Sequence, residues 1–95
     1  MNIKASSNNV TIDGNIKTVS DFQQIKQVLD GVATTNSSII LNIVDSLSMT
    51  SSVIGYLNKL ILKDNIKIQM KVGNQQLLEL LSDLNLTTTF NAKKA

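Results

Sequence analysis

Cysteine, histidine, arginine, proline and tryptophan are all missing from this chain, and each absence narrows what it can do. Without Cys or His there are no disulfides, thiol nucleophiles or imidazole bases, and the usual zinc ligands are gone. No carboxylates are paired at catalytic spacing, and no glycine-rich loop offers a phosphate cradle, so the sequence predicts no enzyme, metal or cofactor. All nine basic residues are Lys. Without Arg there is no planar fork for phosphate or guanine. A net charge of +2 from scattered lysines is no dense basic stripe, so nucleic-acid binding is not expected. Aromatic residues make up only 3% of the chain, which leaves the core to Ile, Leu and Val. No apolar run approaches the ~18 residues needed to cross a bilayer, and Met1-Asn2-Ile3-Lys4 opens no signal peptide. The expectation is a cytoplasmic protein without membrane insertion.

What remains is an ordinary globular composition, 42% hydrophobic and 17% charged over 95 residues, enough for one domain, 1–95, with one core. The four glycines are dispersed, and no linker or repeat divides the chain. Ile3 and Ala5, then Val10 and Ile12, alternate across the polar "SSNN", predicting a hairpin with strands near 2–6 and 9–13. Asp13-Gly14 signals a turn, and Ile16 continues as extended chain. Phe22, Ile25, Val28, Leu29 and Val32 share one helical face, with Ser20 as N-cap, Gln23 at the third helical position and Gly31 at the end. Residues 34–38 read as a loop. "IILNIV", residues 39–44, has the unbroken apolar character of a strand buried on both faces. Val53, Ile54, Leu57, Leu60 and Ile61 form the stripe of a second helix that "DN" at 64–65 ends, with Gly55 allowing close helix approach. "IKIQMKV", residues 66–72, alternates as a half-buried strand. Asn74 caps a third helix with Leu77, Leu78, Leu81 and Leu84 on one face, and "TTTF", 87–90, is an optional last strand. The order is β-β-α-β-α-β-α: a small α/β domain with an initial hairpin and a mixed sheet of four to five strands carrying helices.

Thr50, Ser51 and Ser52 concentrate hydroxyls between the central strand and the second helix. Hydroxyls there can satisfy the free N–H groups of a helix start, worth ~1 kcal/mol for a good cap. Two adjacent serines need not both cap, which leaves open a chemical switch. Lys17 reads as a solvated loop lysine or as a partner for negative charge beside that helix. Tyr56, one turn in, reads as a partly buried ring with its hydroxyl in water. Asp45 and Asp64 are single carboxylates in loops.

Three stretches, "VTIDGNIKTVSDFQQIKQVL" (10–29), "IILNIVDSLSMTSSVIGYL" (39–57) and "NQQLLELLSDLNL" (74–86), together resemble the STAS domain family of sulphate transporters and anti-sigma factor antagonists. The family's run of Asp-Ser-Ser/Thr-Gly-Leu-Gly opening a helix is similar to Thr50-Ser51-Ser52-Val53-Ile54-Gly55, without gaps. Thr50 stands where the family has Asp, Val53 replaces the first glycine, and Lys17 replaces the acid of the turn Gly14-Asn15-Ile16-Lys17. The resemblance implies a non-enzymatic module for partner switching in signal transduction and transcription regulation. It implies phosphorylation at Ser51 by a partner serine kinase or anti-sigma-type regulator, with a phosphatase reversing it. Lys17, Thr50, Ser51, Ser52 and Tyr56 are then the expected partner-binding residues. The alternative it implies is an unphosphorylated STAS subunit of a phospholipid-transport ABC complex, in which a Thr often replaces the motif Asp, as Thr50 does here. A phosphate on Ser51 would sit at a helix N-terminus that tolerates negative charge, so it would act on binding and not on folding.

Overall fold

A computed structural model describes residues 1–95. Its elements run β1 (Asn2–Ser6), β2 (Asn9–Asp13), α1 (Val19–Ala33), β3 (Ser38–Ile43), α2 (Ser51–Leu62), β4 (Lys67–Val72), α3 (Gln75–Asp83) and β5 (Ala92–Lys94). The strands lie in the sheet in chain order, β1-β2-β3-β4-β5. β1 and β2 are antiparallel around the two-residue turn Ser7-Asn8, and every later pairing is parallel. The α/β domain with an initial hairpin and alternating helices and strands is therefore as the sequence predicts.

Strand alternation sorts the sheet into two unlike faces. Val10, Ile12, Ile39, Leu41, Ile43, Ile68, Met70 and Val72 point one way and are buried, joined by Ile25, Leu29, Leu57, Leu60, Leu77 and Leu81 from the helices. The other face carries Thr11, Asn42, Gln69 and Lys71 and has no helix over it. The expectation that 39–44 is buried on both faces is thus corrected. Ile40 and Asn42 are only half-buried, because three successive crossovers of one hand, each to the next strand, lay all their helices on the same side. Asn42 fits the open face by donating to Asn9 Oδ1 at 2.6 Å and to the Val10 carbonyl at 3.2 Å.

Several local expectations are also revised. The N-cap of α1 is Thr18, not Ser20. Thr18 Oγ1 accepts from the Asp21 N–H at 3.0 Å while the Asp21 carboxylate accepts from the N–H of Thr18. A carboxylate closes this box more strongly than the neutral amide of Gln23 could close one at Ser20. Gly31 does not end α1, since Val32 still buries against the core and the helix reaches Ala33. Leu84 lies just past α3 and is exposed. Residues 87–90 form a turn instead of a strand. Phe90 drops from that turn into the core, fully buried, and the edge strand follows at 92–94. Ile16 is buried but lies in the loop after β2. Gly55 faces open space, with nothing within 4 Å of where a Cβ would sit, so it permits no close helix approach.

Candidate functional site

The parallel strands end together on one rim, and there the loops after β2 and β3 are stitched to each other. The Gly14 N–H donates to Asp45 Oδ1 at 2.7 Å, and the Leu47 N–H donates to Asn15 Oδ1 at 2.9 Å. Between them the buried Ser46 hydroxyl accepts from the Ile16 N–H at 3.0 Å and donates to the Ser48 carbonyl at 2.7 Å. Gly73, at the end of β4, packs against the same loop: a Cβ there would come 2.0 Å from the Val44 carbonyl oxygen. Two connections are thereby held as one platform. The turn 14–17 and the start of α2 share this rim.

On the platform the hydroxyls divide their roles. Thr50 is the N-cap of α2, with its Oγ1 accepting from the Val53 N–H at 3.3 Å. Ser51 and Ser52 follow as the first two helical residues, both exposed, and neither hydroxyl bonds to any group of the protein. The first turn of α2 holds no acidic residue, so its N-terminal partial charge is uncompensated by side chains. Lys17 is exposed and its ammonium pairs with no carboxylate. Its N–H, with that of Thr18, donates to Asp21, and these two backbone bonds hold the Asp21 carboxyl below the usual carboxylate range.

Tyr56 is placed differently from the expectation. Its ring is buried, 6% exposed, between α1 and α2, edge-on to Phe22 with centroids 6.2 Å apart. Its hydroxyl is not in water but donates to Asp30 Oδ1 at 2.5 Å. The Lys26 and Lys59 ammonium groups lie 5.7 and 5.9 Å from the ring centroid, and each also pairs with a carboxylate, Asp30 and Asp64. Burial first, then the Asp30 bond, pushes the Tyr56 hydroxyl well above its ordinary value of 10.0. The Lys26 ammonium and the Tyr56 hydroxyl together lower the Asp30 carboxyl. Tyr56 is thus a clamp between two helices, set back from the hydroxyls at the rim.

Three exposed apolar side chains of the rim escape sequence reasoning: Val19 at 73%, Leu47 at 46% and Val44 at 44% exposure. Each adjoins a loop of the platform. Their signal is weak, since Val19 lies outside the apolar stripe of α1 and Leu47 stands alone between serines. Ser46, Asn15 and Asp45 are likewise recognisable only once the two loops are seen side by side. No group of three or more carboxylates gathers as a metal site, and no helix is long and apolar enough to cross a membrane. No family model matches the chain, and neither a curated protein nor a solved structure does.

Proposed function

We propose that this protein is a non-enzymatic interaction module, similar to an anti-sigma factor antagonist, whose partner docks on the rim and is controlled by phosphorylation of Ser51. One observation carries the reading: Thr50 alone caps α2, which leaves the Ser51 hydroxyl exposed and without an internal partner. A kinase can reach it without dismantling the cap. The phosphate would add about −1.5 to −2 charges where the helix dipole favours them and where Lys17 is unpaired. Val19, Val44 and Leu47 are exposed apolar side chains beside the loops of the same rim, available for a partner to cover. On this reading the partner is of the serine-kinase or anti-sigma type, and a phosphatase resets the site. Phosphate-affinity electrophoresis and intact mass of the protein from its native host are expected to reveal a singly phosphorylated form that Ser51→Ala abolishes. Consistent absence of that form, with Ser51→Asp and Ser51→Ala both behaving as wild type, removes the switch.

Thr50 favours a second reading, a constitutive STAS-like subunit of a phospholipid-transport ABC complex. A Thr in the place of the family's Asp is explained by its capping bond alone, with no phosphorylation needed. A pull-down that recovers an ATPase subunit in place of a kinase selects it.

A further inference from the structure

The uncovered face of the sheet is positively charged. In-register pairing runs Lys4, Thr11, Asn42, Lys71 and Lys93 across all five strands in one row, all on the side opposite the core. Lys67 faces the same way four residues before Lys71. At ~4.8 Å between strands and ~3.3 Å per residue, Lys4 and Lys71 stand about 14 Å apart and Lys67 and Lys71 about 13 Å. Asp13, at the rim end of β2, is the only acid on this face. Four lysines against one carboxylate leave it at +3. The five other lysines and six other acids leave the remainder of the molecule at −1, which together with +3 restores the total of +2.

The two faces also differ in how their lysines are partnered. Lys26 and Lys59, on the helical side, are held by Asp30 and Asp64, whereas no open-face lysine has a carboxylate within 4 Å. Lys71 and Lys93 are direct cross-strand neighbours, a like-charge pair that opposes sheet formation and that an external anion would relieve. Thr11, Asn42 and Gln69 lie between the lysines, half-buried Ile40 is the one apolar strand residue among them, and the face carries no aromatic ring on which a base could stack.

We infer that the open sheet face is a peripheral docking surface for an anionic lipid membrane. The match is one of charge and shape. Lysines are compact point charges at unequal spacings, and a fluid bilayer lets its headgroups gather beneath each of them, whereas a rigid partner would need carboxylates at fixed positions. Each lysine near an acidic leaflet contributes about 1 kcal/mol, so the four act together as a reversible tether without inserting any side chain. A molecule lying on this face presents its helices away from the membrane and its rim sideways, open to a partner.

The test is sedimentation of the full-length protein with vesicles of phosphatidylcholine alone or mixed equally with phosphatidylglycerol. Binding is expected only to the acidic vesicles and is lost in 0.5 M salt, a concentration that leaves a screening length of only about 4 Å. The triple variant Lys67→Gln, Lys71→Gln, Lys93→Gln should bind at least about thirtyfold more weakly. The variant Lys26→Gln, Lys59→Gln, Lys63→Gln removes the same net charge from the helical side and should lose less than about threefold. Circular dichroism confirms that both fold. Equal losses in the two variants, or no binding of wild type to acidic vesicles, overturn the proposal. Binding of a DNA duplex through the same three lysines with none to the vesicles overturns it in favour of a nucleic-acid partner.

Discussion

Ser46 shows how much a single hydroxyl can hold: it is the only fully buried polar side chain, and it accepts from one loop while donating to the other. Ser46→Ala leaves the Ile16 N–H without an acceptor and is expected to cost about 1–3 kcal/mol, read as a lower midpoint in urea unfolding. Gly55→Ala should do the reverse. With open space around it and a helix interior to stabilise, the methyl is worth about 1 kcal/mol and raises Tm. Tyr56→Phe removes the bond to Asp30 and should cost about 1 kcal/mol at neutral pH. Since the folded hydroxyl titrates above its unfolded value, that contribution is complete below pH ~10 and declines as the pH climbs further. Unfolding of both proteins at pH 7 and pH 10.5 checks the sign, and a difference that stays constant refutes it. The sequence shows these residues as types but not as partners. Asp30 and Tyr56 are 26 positions apart, and nothing local announces that they meet.

At the scale of elements, the sequence is a good guide to existence and a poorer one to ends. The hairpin at 2–6 and 9–13 matches because period-2 alternation and a polar turn agree with each other. The start of α1 is misread because Thr18 and Ser20 are both good caps, and the choice rests on Asp21 reaching back to two N–H groups. Thr18→Ala is therefore expected to lower stability by about 1 kcal/mol, and Ser20→Ala to change it by less than about 0.5 kcal/mol, in paired thermal melts. The carboxyls of Asp21 and Asp30 both titrate lower when folded. Their stabilisation is present above the unfolded value near 4 and fades as the pH falls through the folded values. The one-sided burial of β3 escapes sequence reading for another reason. A run such as "IILNIV" satisfies either burial pattern until the side taken by the crossovers is known, and Asn42 is the only hint that one face stays wet.

For the whole molecule, the rim and the far end of α2 should respond differently to charge. Ser51→Asp is expected to weaken partner binding at least about tenfold, or ~1.4 kcal/mol, while leaving Tm nearly unchanged. Lys63→Glu, at the other end of that helix, should leave the complex intact, and the opposite pattern in a titration would place the partner elsewhere. The order of the sheet has a further consequence in time. Because each strand pairs with the one synthesised just before it, the sheet can grow in step with translation, every new crossover finding its docking edge already made. The core nevertheless stays unsealed until late, because Phe90, among the largest of its wholly enclosed side chains, follows all three helices. A nascent chain halted before residue 90 would display a nearly finished domain with part of its apolar core still open, a form that chaperones bind and proteases cut.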